Sequence, residues 1–209
     1  MSTFFSKIFS ILFPPYCYSC KKEGFILCPQ CLQRCRKSLN TPAPYITSIY
    51  SFKDPVIKKA VHSIKYFHRK DLIVPLISPL IQEVKQITSR YESDISWILI
   101  PIPMPRLRKY IRGYNQAELI AKEISKQNNL PVKTKILARS HSYKRQVTTH
   151  SRSERLSNQH NTFKVSQSVK DFHIILIDDV TTTGATLSEA RTLLMQSGAK
   201  VVQAITIAH

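Results

Sequence analysis

Residues 173–190, with the sequence HIILIDDVTTTGATLSEA, place a strand, two acids and a hydroxyl-rich turn in direct succession. Residues 174–177 are a short continuous apolar run, which is typical of a strand buried on both faces of a parallel sheet. The acids at 178–179 are followed by four threonines and one glycine within 181–186, and 187–195 have helical spacing. The stretch therefore predicts a strand–loop–helix unit of an α/β protein.

The loop of this unit carries groups for a sugar and groups for a phosphate. A helix N-terminus offers free backbone N–H groups and partial positive charge, which suits a phosphate. Gly184 lets the backbone approach a ligand closely. The carboxylates of Asp178 and Asp179 can accept hydrogen bonds from ribose hydroxyls or hold a hydrated Mg²⁺ ion. The candidate phosphate-binding residues are Thr181, Thr182, Thr183, Gly184, Ala185 and Thr186.

Residues 174–190 resemble the phosphoribosyl-pyrophosphate (PRPP) binding motif of type I phosphoribosyltransferases. That motif consists of an apolar strand, two acids and a Thr/Gly phosphate loop. The alternative is an ordinary strand-to-helix turn with a Thr-rich cap. A Walker-type loop is excluded, because the pattern G-x-x-x-x-G-K-[ST] occurs nowhere in the chain.

The composition indicates a polyanionic partner. The chain has a formal charge of +18, from 31 Lys and Arg residues against 13 Asp and Glu residues. Such an excess favours nucleic acid, nucleotide phosphates or an anionic membrane surface. Lysines scattered along the chain would indicate only a general enrichment in lysine. Here four cations lie within residues 106–112, and residues 140–161 contain four cations and one acid, Glu154.

Hydropathy predicts a cytoplasmic protein without a transmembrane segment. No apolar run reaches the roughly 18–20 residues that a membrane-spanning helix needs. Residues 4–13 are apolar but interrupted by Ser and Lys7, and no small-residue cleavage site follows. We interpret them as a short amphipathic helix that packs on the body of the protein, with peripheral contact at the inner membrane as the alternative.

All five cysteines lie in the first 35 residues, and four of them form the pattern C-x2-C-x7-C-x2-C. Two C-x2-C pairs predict a tetrahedral Zn²⁺ site at Cys17, Cys20, Cys28 and Cys31, with a structural role because four thiolates leave no open position. The alternative is a pair of disulfides, against which the odd fifth cysteine and the lack of a convincing secretory signal argue. Cys35 either replaces one ligand or is a spectator.

The rest of the chain alternates predicted strands and helices. Asp54 and Pro55 predict a helix start, because Asp is a preferred N-cap and Pro a preferred first helical residue. The predicted strands are residues 45–52, 97–102, 135–139 and 200–208. The predicted helices are one from Pro55 to about Phe67, with Val56, Ala60, Ile64 and Phe67 on its inner face, one at 71–91 that is broken near Pro75 or Pro79, and one capped by Asn115. A basic loop is predicted at 106–112 and a polar loop at 140–161.

This order predicts a parallel sheet with helices on both faces. We expect two domains: an N-terminal helix and zinc-binding module at 1–44, and the α/β domain at 45–209. Ligands of such sheets bind beyond the carboxyl ends of the strands. Residues 178–186 and 101–112 both follow predicted strands, so they are expected to face one another across one site.

Nearly the whole chain resembles the competence protein F family, phosphoribosyltransferase-like proteins associated with DNA uptake in naturally transformable bacteria. The resemblance rests on the four-cysteine module, the Pro-rich strand end, Arg-Gly-Tyr-Asn-Gln-Ala-Glu at 112–118, Arg-Gln at 145–146, Ser-Arg-Ser-Glu-Arg at 151–155, Asn161, Phe163 and the PRPP motif. It implies a type I phosphoribosyltransferase fold, PRPP binding and handling of incoming single-stranded DNA. It also implies a DNA-uptake helicase or other competence proteins as partners.

The first functional hypothesis is an enzyme that transfers a phosphoribosyl group. Threonines 181–186 would hold the 5-phosphate, and Asp178 and Asp179, the catalytic candidates, would engage the ribose hydroxyls or Mg²⁺. Purine phosphoribosyltransferases often carry an acid two or three residues after the pair, and this chain has threonines there. Base-directed proton abstraction is therefore not expected from this loop. The pyrophosphate candidates are Arg106, Arg108, Lys109 and Arg112, with Arg145, Arg152 and Arg155 closing over it.

The second hypothesis is a binding module, in which the pocket senses PRPP or a nucleotide and the basic surface carries single-stranded DNA. Aromatic side chains beside cations could stack on bases, although core packing is the alternative for each of them. These aromatic residues are Tyr66, Phe67, Tyr110, Tyr114 and Tyr143. The two hypotheses are compatible with each other.

Overall fold

The computed structural model describes residues 14–91, 96–140 and 162–209. In these ranges the chain forms six helices, six strands and a 3₁₀ turn at Lys70–Leu72. The helices are α1 (Pro29–Arg34), α2 (Pro55–Tyr66), α3 (Ile73–Ser89), α4 (Arg106–Arg112), α5 (Gln116–Asn128) and α6 (Ala185–Gln196). The strands are β1 (Ile46–Tyr50), β2 (Trp97–Pro101), β3 (Leu137–Arg139), β4 (Phe163–Val165), β5 (His173–Val180) and β6 (Val201–Ala208).

Four strands form a parallel sheet in the order β1-β6-β5-β2. The predicted strand after residue 172 is β5, which lies between β6 and β2. Ile175 and Ile177 of β5 pack into the core on one face, whereas Ile174 and Leu176 pack on the other. The continuous apolar run is thus explained by burial on both faces.

Helices cover both faces of this sheet. The buried side chains of α2, α3 and α5 belong to the core on the Ile175 face, and those of α6 belong to the core on the Ile174 face. The prediction of an α/β fold with a parallel sheet and helices on both faces is confirmed. Among the described helices, none combines the length and apolarity needed to cross a membrane.

Two predicted helix starts are confirmed by their caps. The Asp54 carboxylate accepts hydrogen bonds from the N–H groups of Val56 and Ile57 at the start of α2. The Asn115 side-chain carbonyl accepts one from Ala117 at the start of α5. Each cap satisfies N–H groups that the first helical turn leaves without a partner.

Helix α3 corrects the prediction of a break near Pro75 or Pro79. The helix runs from Ile73 to Ser89 without interruption. Pro75 lies in the first turn, where a missing N–H group costs nothing, and only Pro79 removes an internal hydrogen bond. Burial of Leu76, Leu80 and other apolar residues along one face offsets that loss.

Two smaller predictions were also wrong. Phe67, expected on the inner face of α2, is 65% exposed, because α2 ends at Tyr66 and the chain turns away from the core. The basic stretch at 106–112, expected to be a loop, is helix α4. It follows Pro105, and Gly113 ends it in the left-handed region with φ +76°.

Strands β3 and β4 form a separate antiparallel pair. Strand β3 is shorter than the predicted strand at 135–139, and β4 was not predicted. Residues 141–161, which include almost all of the predicted polar loop, lie outside the described residues. Residues 4–13 lie outside them as well.

The cysteine-rich segment packs directly against the α/β core. Cys17, Cys28 and Cys31 belong to the same buried cluster as residues of α2 and α3. The Tyr18 hydroxyl is hydrogen-bonded to Ser63 of α2. The extent of the two predicted domains therefore stays a prediction, but their apolar interiors are continuous in the described part of the chain.

Candidate functional site

A cavity of about 590 Å³ opens at the carboxyl ends of β2 and β5. As expected from the strand order, its lining includes residues from both 101–112 and 178–186. The acidic pair, the basic helix α4 and Thr186 of α6 face this one space. Lys65 and Tyr66 at the end of α2 complete one side. A cavity of this size is large enough for a phosphorylated sugar.

The two carboxylates have different environments. Asp179 forms an ion pair with Lys65, whose Nζ lies 2.8 Å from Oδ2. Oδ1 of Asp178 accepts a hydrogen bond from the N–H group of Asp179, at 2.8 Å. Oδ1 of Asp179 accepts one from Val180. These bonds fix both side chains at the end of β5.

Desolvation in the cavity, together with the neighbouring charge of Asp179, raises the pKa of Asp178 to about 8. Burial and the neighbouring carboxylate therefore disfavour the ionised form of Asp178, whereas Asp179 is paired with Lys65. A ligand that brings positive charge or hydroxyl donors would favour ionisation of Asp178. The pair is thus suited to a ribose or to a metal-bound ligand.

Of the predicted phosphate-binding residues at 181–186, only Thr186, in the first turn of α6, lines the cavity. Gly184 has φ +75°, and a Cβ atom there would lie 2.9 Å from Cβ of Pro42. Both the conformation and the space therefore require glycine. Thr181 is buried, and its N–H group donates to the carbonyl of Ala208. The loop is held by the end of β6, and Thr186 in the first turn of α6 lines the cavity.

The four cations of α4 divide between two cavities. Arg108 and Arg112, four residues apart, line the cavity that holds the acidic pair. Arg106 and Lys109, three residues apart, line a neighbouring cavity of about 890 Å³. Helical spacing explains the division, because residues three or four apart share a face. The four predicted pyrophosphate residues are therefore not brought together at one site.

Arg112, one of the two α4 cations on the acidic-pair side, is oriented by Gln116 and Tyr66. Nη1 of Arg112 donates to Oε1 of Gln116 at 2.8 Å, and the Arg112 guanidinium lies 5.4 Å from the ring centroid of Tyr66. On the other side, Lys109 forms an ion pair with Glu118 at 2.9 Å. Arg145, Arg152 and Arg155, predicted to close over the site, lie outside the described residues.

Two cations at the site were missed from the sequence. Lys65 was not named as a site residue, because nothing in α2 indicates its contact with Asp179, more than a hundred residues away. Arg139 lines both cavities. It ends β3, which lies in the antiparallel pair, so the rule that places ligands at the carboxyl ends of parallel strands does not point to it.

The four cysteines at 17, 20, 28 and 31 form a compact cluster. Their Sγ atoms all lie within 4.8 Å of one another. The N–H group of Cys28 donates to Sγ of Cys17 at 3.3 Å, a bond that stabilises a thiolate. The cluster could therefore hold a metal ion such as zinc. The fifth cysteine, Cys35, lies outside the cluster and its thiol donates to the carbonyl of Cys31.

Comparison with known proteins identifies similar sequences. A family model described as the phosphoribosyl transferase domain matches residues 112–209. DNA utilization protein YhgH of Salmonella typhimurium is 27% identical over 198 residues, which cover 90% of this chain and 86% of that protein. Competence protein F of Haemophilus influenzae is 35% identical over 109 residues, which cover 50% of this chain and 47% of that protein. Competence protein ComFC of Bacillus subtilis is 30% identical over 151 residues, which cover 72% of this chain and 58% of that protein.

The family-model match includes only part of the candidate site. Asp178, Asp179 and the phosphate loop lie within the matched residues 112–209, whereas Lys65 and Arg108 precede them. The matched region thus carries the acidic pair and the helix N-terminus. Of the four Lys and Arg residues that line the cavity, Arg112 and Arg139 lie inside the matched residues and Lys65 and Arg108 lie outside them.

Proposed function

We propose that this chain, which is similar to competence protein F, ComFC and YhgH and whose residues 112–209 match the phosphoribosyl transferase domain, binds PRPP and handles single-stranded DNA. The family resemblance and the fold class predicted from the sequence are both confirmed. PRPP binding is supported above all by one observation. The acidic pair, Thr186 in the first turn of α6 and two arginines of α4 line the same cavity.

Each part of PRPP has a matching group in this cavity. The first turn of α6, with residues 181–186, would bind the 5-phosphate through backbone N–H groups and hydroxyls. Asp178 and Asp179 would accept hydrogen bonds from the ribose hydroxyls. Arg108 and Arg112 would bind the pyrophosphate, whose developing charge they neutralise as it leaves. Arg106 and Lys109 are assigned no role in PRPP binding, because they line the neighbouring cavity.

Two metals belong to this proposal. Mg²⁺ would enter with the pyrophosphate, and carboxylate oxygens such as those of the acidic pair are ligands it prefers. Zn²⁺ would be bound by the four-cysteine cluster and would stabilise the N-terminal segment rather than act in catalysis. Residues 181–183 include no acid that could take a proton from the acceptor. Other parts of the site would therefore determine which acceptor is used.

The proposal is tested by titrating the protein with PRPP and Mg²⁺, followed by a screen for pyrophosphate release with candidate acceptors. Binding that needs Mg²⁺ and is abolished by substitutions in the acidic pair is the expected result. Release of pyrophosphate would identify an enzyme. Binding without release under every acceptor would favour the alternative, a module that senses PRPP. No PRPP binding at all would exclude both forms of the proposal.

The DNA-handling part is supported by an exposed aromatic surface at the end of α2, which comprises His62, Tyr66 and Phe67. Tyr66 is 60% exposed and Phe67 is 65% exposed. The His62 ring centroid lies 4.6 Å from that of Tyr66 and 5.7 Å from that of Phe67. The exposed Lys58 and Lys59 precede this surface on the same helix. Aromatic rings beside cations are suited to bases and phosphates of a single strand.

Two other aromatic residues predicted to stack on bases have different positions. Tyr110 on α4 is 88% exposed and remains available. Tyr114 is buried, and its hydroxyl donates to the carbonyl of Ile64, so it belongs to the core. Tyr143 lies outside the described residues.

Replacing the surface rings and the lysines should have separable effects on single-stranded DNA affinity. Tyr66→Ala with Phe67→Ala should lower affinity about tenfold or more at every salt concentration, since stacking contributes ~1–3 kcal/mol per base. Lys58→Ala with Lys59→Ala should flatten the dependence of log affinity on log salt by about 0.7 per lysine that contacts a phosphate. Fluorescence anisotropy with oligothymidylate over a salt series measures both.

The matched control is Lys85→Ala with Lys122→Ala, which removes two exposed lysines away from the aromatic surface. It should change the salt slope less. If the control and the Lys58/Lys59 variant flatten the salt dependence of DNA affinity equally, positive charge attracts DNA from anywhere on the protein and not through a defined surface. The DNA role of His62, Tyr66 and Phe67 would then be abandoned.

A further inference from the structure

The last turn of α2 connects the cysteine-rich segment to the cavity of the acidic pair. The Ser63 hydroxyl is hydrogen-bonded to the hydroxyl of Tyr18, which follows Cys17 directly in the sequence. Two residues after Ser63, Nζ of Lys65 lies 2.8 Å from Oδ2 of Asp179. One helical turn thus contacts the four-cysteine cluster's own segment on one side and the acidic pair on the other.

Hydrogen bonds hold this turn in place. The carbonyl of Ser63 accepts from the N–H groups of Phe67 and Arg69, at 2.9 and 3.3 Å. The carbonyl of Ile64 accepts a hydrogen bond from the hydroxyl of Tyr114, which is buried. Ser63 is itself buried, so water has little access to its hydroxyl. A partner lost from this hydroxyl is therefore not replaced at no cost.

Tyr18 is held at both its backbone and its ring. Its N–H group donates to the carbonyl of Ile26 at 2.8 Å, within the cysteine-rich segment. Its ring centroid lies 5.1 Å from Nζ of Lys59 and 5.6 Å from the guanidinium of Arg69. Lys59 belongs to α2, and Arg69 belongs to the turn that follows it. The fold of the cysteine-rich segment therefore determines where the Tyr18 side chain meets α2.

Lys65 is the cation that offsets the charge of Asp179. The side chain of Lys65 is 24% exposed and that of Asp179 is 14% exposed, so water screens this ion pair only in part. An unbalanced carboxylate in the cavity would repel the phosphate groups of PRPP. The position of Lys65 thus matters for an anionic ligand that binds beside Asp179.

We propose that Tyr18 is a positioning residue for the PRPP site. Its bond to Ser63 fixes the last turn of α2, and this turn places Lys65 beside Asp179. Side chains of a binding site depend on such supporting hydrogen bonds for their geometry. Because PRPP is the ligand, this role rests on the proposed function. It goes beyond that function by making the four-cysteine segment a support of the ligand site.

A double-mutant cycle tests this role by calorimetry with PRPP and Mg²⁺ on the full chain with zinc bound. Lys65→Met should weaken PRPP binding about tenfold, and Tyr18→Phe, which removes only the hydroxyl and keeps the ring, about fivefold. In the Lys65→Met background, Tyr18→Phe should change PRPP affinity by less than about twofold, because its effect passes through Lys65. Tyr16→Phe is the matched control and should change nothing, since Tyr16 is 56% exposed.

A purely structural role of Tyr18 gives a different result. Tyr18→Phe would then weaken PRPP binding equally in both backgrounds, and the positioning role would be rejected. Unchanged PRPP affinity in either single variant would also reject it. Ser63→Ala removes the same hydrogen bond without altering the cysteine-rich segment and should reproduce the effect of Tyr18→Phe. It keeps the test available if Tyr18→Phe loses zinc.

Amide hydrogen exchange measures the positioning without PRPP. The N–H group of Val180 donates to Oδ1 of Asp179 at 2.8 Å, so its exchange rate reports how firmly that carboxylate is held. Tyr18→Phe should raise this rate about threefold or more, whereas Tyr16→Phe should leave it unchanged. Faster exchange in a protein that does not bind PRPP would remove the proposed function and leave Tyr18 as a support of the acidic pair. PRPP binding with unchanged exchange would leave the proposed function intact and remove the role of Tyr18.

Discussion

Asp178→Asn combined with Asp179→Asn is expected to weaken Mg²⁺-dependent PRPP binding roughly 100-fold or more and to leave the fold intact. A hydrogen bond to a charged group contributes ~1.5–3 kcal/mol, and each 1.4 kcal/mol is about a factor of ten in affinity. The two carboxylates are the acidic groups of the cavity among its described lining residues, so no neighbour replaces them. Calorimetry with PRPP and Mg²⁺ measures the loss, and circular dichroism checks the fold.

Asp178 is also expected to lower folding stability as the pH rises, which distinguishes a functional role of this carboxyl from a structural one. The pKa of Asp178 is about 8 in the folded protein, against an ordinary value of 3.8. Between these values the folded state holds a proton that the unfolded state has released, so folding stability falls as the pH rises through this window. Asp178→Asn removes this cost. Its stability relative to the parent should therefore rise from about pH 4 to about pH 8 and then level off.

Single variants separate the two carboxylates. Asp179→Asn breaks the ion pair with Lys65, so Lys65 loses its partner. This variant should therefore show no rise in folding stability relative to the parent between about pH 4 and about pH 8. Lys65→Met serves as a charge control, since it leaves both carboxylates in place. Equal PRPP affinity of the double variant and the parent would refute the site. A double variant that unfolds would show that the pair is structural.

Local signals in the sequence were sufficient for most of the fold. The apolar run before Asp178, the caps at Asp54 and Asn115, and the helix after Gly184 each depend on neighbours within a few residues. Such short-range chemistry is visible in a sequence. The parallel order then follows from the alternation of strands and helices.

Errors arose where a distant contact decided the outcome. Burial of one face keeps α3 continuous through Pro79, and no local pattern predicts this. Phe67 has helical spacing with the buried residues of α2, but the helix ends before it. The short stretch at 106–112 was too rich in charge to predict a helix, although Gly113 is a suitable end for one.

In the candidate site, too, residues close together in the sequence were predicted and residues brought in by distant contacts were not. The acidic pair and Thr186, which line the cavity, were named from the sequence because one continuous stretch contains them; phosphate binding by residues 181–186 stays a prediction. Lys65 and Arg139 reach the cavity from elements far apart in the sequence, and their roles depend on the packing of α2 and β3. The division of the α4 cations between two cavities required knowing that the stretch is helical.

Loss of the metal site should be the most severe structural change. Cys17→Ser is expected to reduce bound zinc from about one ion per chain to none and to unfold the N-terminal segment, because metal binding supplies most of its folding free energy. The parallel sheet should persist but melt at lower temperature, since Cys17 and Cys28 pack in the same core as α2 and α3. Cys35→Ser is the control, because Cys35 is buried but lies outside the cluster. Elemental analysis, limited proteolysis and thermal melting measure these effects, and equal zinc content in Cys17→Ser and Cys35→Ser would contradict the four-cysteine site.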